Sequence, residues 1–268
     1  MDLTAGIVLG LVQGITEFLP ISSSGHLIMV RELLTVSDTH ALATDAVLHL
    51  STTLAVMTYF WGDIWVLIQT GIRKLGRLPT NEKDVTLLYA LLLGTLPGVA
   101  LGLLLEGFMS SFESAAVVAA VLFCSAIFFM YAEWRYFQNP PQGSLTIRRG
   151  ILIGVFQALA LIPGFSRSGA TLAGGMLLGL SRIESTRFSF LLSIPIILGV
   201  GIKKLIELIA TEETVNWLPI AIGAAISYAM AIIVIHFFLG FIRRYTLWPF
   251  IWYSIILSCL VGYVAFFI

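Results

Sequence analysis

The chain has 268 residues, 58% hydrophobic and only 11% charged, with a mean hydropathy of +0.97. Soluble domains carry about 25% charged residues, so this composition excludes a water-soluble globular fold. Fifteen Lys and Arg balance fifteen Asp and Glu, which leaves no net field to attract nucleic acid. The expectation is an all-α integral membrane protein, a single membrane domain over 1–268.

In chain order, apolar stretches occupy 3–33, 43–68, 85–105, 115–134, 150–180, 188–209, 218–241 and 247–267. Met1-Asp2-Leu3-Thr4 lacks the basic start of a secretory signal, so the first stretch is expected to stay in the mature protein. Residues 70–84, 106–113 and 135–149 read as loops. Six stretches are close to the roughly 20 residues of a spanning helix. The first and fifth are longer and are broken by Pro, Gly and Ser.

The two broken stretches resemble each other. Gly6, Gly10, Gln13 and Gly14 align with Gly150, Gly154, Gln157 and Ala158 at an offset of 144. After a one-residue slip that sets Pro20 against Pro163, the same offset pairs Ser22, Ser24 and Gly25 with Ser166, Ser168 and Gly169. The chain thus reads as pseudo-repeats over about 1–134 and 145–268, each a re-entrant hairpin plus three transmembrane helices. Three crossings invert the second copy, and paired broken segments in such repeats mark the functional site.

Basic residues test the hairpin reading. With both broken stretches turning back, eleven Lys and Arg fall on one side and Arg31, Lys203 and Lys204 on the other; with both spanning, the split is nine to five. The positive-inside rule favours hairpins, cytoplasmic basic loops and external termini.

The first polar cluster runs from Gln13 to His26. Gln13 and Glu17, four apart, share a helix face. Pro20 is expected to end this half-helix, and Ser22, Ser23 or Ser24 to cap the next, whose first-turn amides suit an anion. The second cluster surrounds Arg167, the one basic residue that the topology puts in neither a loop nor a helix end. A guanidinium at that depth requires an anionic partner, and its fork suits phosphate. Glu17, His26, the serines and Arg167 are expected to share one cavity. The bland reading, a structural Glu17–Arg167 ion pair with capping serines, stays open beside it. Cys124, Cys259, His49 and His236 read as core residues, His40 as a loop residue, and Asp45 and Asp63 as interfacial charges.

At these two clusters the chain resembles the bacterial undecaprenyl pyrophosphate phosphatases associated with bacitracin resistance. Gln13, Glu17, Ser23 and His26 match the first family pattern. Pro163, Gly164, Ser166, Arg167, Ser168 and Thr171 match the second in full. The resemblance implies removal of the terminal phosphate of undecaprenyl pyrophosphate, recycling the lipid carrier for cell-wall synthesis in the inner membrane. It also implies an active site facing the periplasm and bacitracin as a competitor for the substrate. Glu17, Ser23, His26 and Arg167 are then the catalytic candidates. Gln13, Ser22, Ser24, Ser166, Ser168, Gly169 and Thr171 are candidates for binding substrate.

Where many members have a second Glu, this chain has Gln13. A divalent cation, Mg²⁺ or Ca²⁺, would rest on Glu17, the Gln13 carbonyl and substrate oxygens. Ser23 is the preferred nucleophile, with His26 as the rival. A transporter or flippase for a phosphorylated lipid or an anion is the alternative function. Apart from membrane lipids the partners stay open, a homodimer among them.

Overall fold

The computed structural model describes residues 1–35, 38–105, 107, 114–210 and 215–267, and side chains at all of these except 38–43, 208–210 and 266–267. Among the described residues there are eleven α-helices and no strand: α1 (Leu3–Thr16), α2 (Ser23–Leu33), α3 (Asp38–Tyr59), α4 (Trp61–Leu75), α5 (Glu82–Leu105), α6 (Ala115–Gln138), α7 (Ile147–Gln157), α8 (Arg167–Leu177), α9 (Arg182–Ala210), α10 (Trp217–Ile242) and α11 (Trp248–Phe267). A 3₁₀ turn, Ala158–Leu161, prolongs α7. The loop expected at 106–113 lies outside the described residues, save Gly107.

Helices α5, α6, α9, α10 and α11 are each long and apolar enough to cross a membrane, yet only 28–39% of each span is buried within the protein. Their outward faces carry Leu92, Leu103, Leu104, Phe237 and Leu260. Such a surface is stable only against lipid, so this is a multi-pass membrane protein. The sixth crossing differs from expectation. The stretch at 43–68 is not straight; it bends by 80° between α3 and α4. Beyond the bend, α4 exposes Trp61, Trp65, Ile68 and Ile72 and ends in Arg73 and Lys74, the make-up of an interfacial helix.

Other boundaries are corrected as well. Helix runs on to Leu75 and to Gln138, so the expected loops shrink to 76–81 and 139–146. His40 falls in the first turn of α3, not in a loop. Cys124 and Cys259 are free and exposed rather than packed in the core. In lipid an apolar thiol is as much at home outside as inside.

Glycine governs the packing around the site. α2 folds back on α1, and α8 on α7, so both broken stretches are hairpins. α1 lies along α10, where a Cβ at Gly10 would overlap the Gly223 backbone; α7 lies along α5, where a Cβ at Gly154 would overlap that of Gly94. Small-residue contacts of this kind draw helices together in lipid, where dispersion replaces the hydrophobic effect. Helix α3 packs on α9 and α10, α6 on α11, and α8 is wedged among α6, α7 and α9. Away from the hairpins, Glu133 is wholly buried. It accepts from Arg182 Nε at 3.2 Å and Nη2 at 2.5 Å, and from the Leu247 amide at 2.6 Å, joining α6, α9 and the start of α11.

Candidate active site

Each hairpin tip is built by the same local rule. Helix α1 stops at Thr16, a turn earlier than Pro20, and α2 restarts with Ser22 as N-cap, its Oγ accepting from the Gly25 amide at 3.3 Å. In the second hairpin, Ser166 caps α8 and its Oγ accepts from the Gly169 amide at 3.2 Å. The chain reverses at Gly164, φ +96°, pressed against the Val118 backbone. In the first hairpin the left-handed residue is Ser22 itself, φ +67°. A non-glycine residue held there is strained.

The two tips meet. Ser168 Oγ donates to the Leu19 carbonyl at 2.9 Å, Ser166 Oγ donates to the same oxygen at 3.4 Å, and Arg167 pairs with Glu17. Glu17, 5% exposed, is the hub. One carboxylate oxygen accepts from Arg167. The other accepts from Ser23 Oγ at 2.7 Å and from Gln13 Nε2 at 2.9 Å. His49 Nδ1 lies 3.3 Å from that second oxygen and accepts from Gln13 Nε2 at 2.9 Å.

A cavity of about 260 Å³ opens onto this hub. Glu17, Ser22, Ser23, Ser24 and His49 line one side; Gln157, Ser166 and Arg167 line the other; Leu161, Phe165, Ile196 and Val200 supply apolar wall, and Lys204 is also in the lining. Both helix starts thus face one small space. Their first-turn amides have no intrahelical partner, apart from those of Gly25 and Gly169, which the caps take. The space suits an anion the size of a pyrophosphate.

Several predicted residues serve elsewhere. The His26 ring bonds groups other than Ser23: its Nδ1 donates to the Ser22 carbonyl at 2.7 Å, and its Nε2 accepts from Tyr253 Oη at 2.7 Å, with the two rings stacked. Its ring is not part of the cavity wall. Gln13 stands behind Glu17, wholly buried, with Oε1 unpartnered. Thr171 Oγ1 donates to the Arg167 carbonyl at 2.9 Å and contacts Ser189 Oγ, inside the protein. Gly169 is close-packed under the Phe129 ring. Ser168 joins the tips rather than lining the cavity.

Other residues were not marked as site candidates in the sequence. His49, read as a core residue, belongs to the Glu17 cluster. His236 is exposed and bonds Tyr59 Oη at 3.2 Å. Asp45 and Asp63 pair with Arg31 and Arg187. Gln157 and Lys204 line the cavity, and only Gln157 had a signal in sequence, its alignment with Gln13.

With this geometry established, comparison with known proteins is decisive. A family model described as bacitracin resistance protein BacA matches residues 6–260. The chain belongs to that family. The undecaprenyl-diphosphatase of Alteromonas mediterranea is 38% identical over 268 residues, covering 99% of this chain and 100% of its own. Undecaprenyl-diphosphatase 2 of Stutzerimonas stutzeri is 40% identical over 262 residues, 96% of each chain. That of Micrococcus luteus is 38% identical over 259 residues, 94% of this chain and 93% of its own. The BacA family is the one that the two polar clusters resembled.

Proposed function

We propose that the chain is an undecaprenyl-diphosphatase, hydrolysing undecaprenyl pyrophosphate to undecaprenyl phosphate and inorganic phosphate. One observation carries the chemistry: Ser23 Oγ donates at 2.7 Å to a buried carboxylate whose other oxygen is held by Arg167. A hydroxyl becomes a useful nucleophile only when a base takes its proton. Glu17 is in place to do so.

Pyrophosphate entering the cavity exchanges for Glu17 on the Arg167 fork, which suits two phosphate oxygens at once. That exchange frees the carboxylate. Glu17 takes the Ser23 proton as Oγ attacks the terminal phosphorus; the bridging P–O bond breaks and undecaprenyl phosphate leaves with the electron pair, receiving the proton from Glu17. Water then attacks the phosphoserine, Glu17 taking its proton and returning it to Ser23 Oγ as the P–Oγ bond breaks, and phosphate departs. Arg167 and the first-turn amides of α2 and α8 face the charge that develops at phosphorus. His26 acts as a positioning residue, bracing the Ser22 carbonyl.

Among the described residues, no three His, Cys, Asp or Glu side chains gather as a metal site. Glu17 lines the cavity, whereas Gln13 Oε1, though unpartnered, is buried behind it. A single carboxylate suits Mg²⁺ or Ca²⁺ only where the ion arrives with the substrate, which then provides most of the ligands. Glu17 would be the protein's direct contribution, with Gln13 reaching the ion only after its side chain turns toward the cavity, and the bound ion would neutralise pyrophosphate charge.

The reading extends to an inverted repeat, supported by reciprocal packing: α1 on α10 and α7 on α5, with α3 on α9 and α6 on α11 between the halves. It also places the protein in the bacterial inner membrane. Arg73, Lys74, Arg77, Arg148, Arg243 and Arg244 are exposed and would face the cytoplasm. Lys204, near the other end of α9, would mark a periplasmic mouth. Bacitracin would compete there for the same pyrophosphate.

Purified protein should release phosphate from undecaprenyl pyrophosphate, lose that activity with a chelator and regain it with Mg²⁺ or Ca²⁺. Absence of phosphate release by a folded, metal-supplied sample would refute the assignment.

A further inference from the structure

Gln157 sits in the cavity wall, 2% exposed, and neither its Nε2 nor its Oε1 has a hydrogen-bond partner among the described residues. Both amide atoms are bare, so turning the amide over does not rescue it. A buried polar group without a partner destabilises the fold that holds it. An apolar side chain of similar size would suit the empty protein better.

The repeat explains how the amide became free. Gln13 spends its Nε2 on Glu17, one turn further along the helix. The offset of 144 that pairs Gln13 with Gln157 pairs Glu17 with Leu161. The second hairpin keeps the amide but has no carboxylate to receive it. Helix α5 leaves the amide its room: a Cβ at Gly98 would come within 3.3 Å of Gln157 Nε2 and 2.7 Å of Ile196 Cδ1. The amide therefore lies between α5 and the cavity that Gln157 lines.

We infer that Gln157 is a substrate-binding residue whose Nε2 donates to a pyrophosphate oxygen on the second-hairpin side of the cavity. This rests on the phosphatase reading and adds to it a neutral donor beside Arg167. Its Oε1 accepts from a protonated phosphate oxygen or from a water hydrating the group.

The test compares Gln157→Leu with wild type. Gln157→Leu should melt at or above the wild-type temperature while KM for undecaprenyl pyrophosphate rises about tenfold or more, the loss of one donor to a charged oxygen. Its kcat should stay within about threefold. Gln157→Glu, of the same shape but anionic, should raise KM further. If Gln157→Leu does not fold, Gln157→Glu and Gln157→Asn carry the KM reading.

Binding is read separately in a Ser23→Ala background, where turnover does not intervene. A non-hydrolysable isoprenyl methylenediphosphonate should raise Tm in Ser23→Ala, and much less in Ser23→Ala/Gln157→Leu. Unchanged KM and equal ligand shifts would overturn the inference, as would a lower Tm with unaltered KM, the mark of a structural amide. Failure of the phosphatase reading looks different: wild type would release no phosphate, whereas the ligand shift would still report on Gln157.

Discussion

The two hairpins share a scaffold and divide the chemistry. Ser22 and Ser166 both cap the second helix of their hairpin, and both accept from a glycine amide three residues on, at 3.3 and 3.2 Å. Each also contacts a serine two residues later, Ser24 at 3.3 Å and Ser168 at 3.1 Å. Between those serines the copies diverge: the first carries Ser23, the second Arg167. The proposed nucleophile and the guanidinium thus occupy the same structural position in two copies. One turn before the tip, the first copy has Glu17 where the second has Leu161. A nucleophile with its base on one hairpin, and an anion-binding fork on the other, make a phosphatase only when the tips meet.

The sharpest way to break this division is to remove the nucleophile alone. Ser23→Ala should lower phosphate release at least about a thousandfold, with the fold and the ligand-induced rise in Tm retained. Adding Glu17→Gln to Ser23→Ala should change little more, since base and nucleophile act as a unit. A phosphoserine trapped in wild type and absent from Ser23→Ala would complete the case. Substantial turnover by Ser23→Ala would return the role to another group.

Next in size is Arg167→Lys, expected to cost about a hundredfold in kcat/KM although the charge is kept. An ammonium can compensate Glu17 but cannot present two parallel donors to a phosphate. Near-normal turnover would mean that the second hairpin supplies charge alone.

Much of this arrangement was legible in the sequence. The helical membrane class followed from composition, and the hairpins from Pro, Gly and Ser inside two long apolar stretches. The site followed from a carboxylate and a guanidinium that lipid would not tolerate unpaired. What escaped depends on distances between elements far apart in the chain. Tyr253 lies 227 residues from His26, and nothing local marks it as that ring's partner. His49 looked like a core residue because its helix is apolar, and the turn that brings it to Glu17 is tertiary. The bend at Phe60 escaped because hydropathy runs through it without a break; only the outward stripe of Trp61, Trp65, Ile68 and Ile72 records it.

A smaller effect tests the contact between the tips. Ser168→Ala removes the 2.9 Å bond to the Leu19 carbonyl and leaves only the 3.4 Å bond from Ser166. About 1 kcal/mol of stability should be lost, read as a modest fall in Tm, with turnover down about tenfold as Glu17 and Arg167 lose registration. A fall in Tm with full turnover would show that the ion pair alone registers the hairpins.

The smallest effect concerns the brace that only the first hairpin possesses. Ser22 is held at φ +67°, whereas Ser166 caps its helix at φ −70° without strain. A backbone outlier of this kind costs on the order of 1–3 kcal/mol and persists only where its surroundings hold it. The His26 ring bonds the Ser22 carbonyl at 2.7 Å, a brace the second hairpin lacks. A carbonyl can only accept, so Nδ1 carries the proton given to Ser22, and Nε2 of the neutral ring must accept from Tyr253. The second hairpin has Ala170 in the corresponding position and needs no such brace. Tyr253→Phe keeps the stacked ring and removes only the hydroxyl. It should lower kcat by a few-fold, leave KM unchanged and reduce Tm slightly, the effect of one unpaired buried nitrogen. His26→Ala removes both the brace and the ring, and should lose far more. If Tyr253→Phe instead lost as much activity as Ser23→Ala, the Tyr253–His26 pair would be moving protons, and Glu17 would no longer be the sole base.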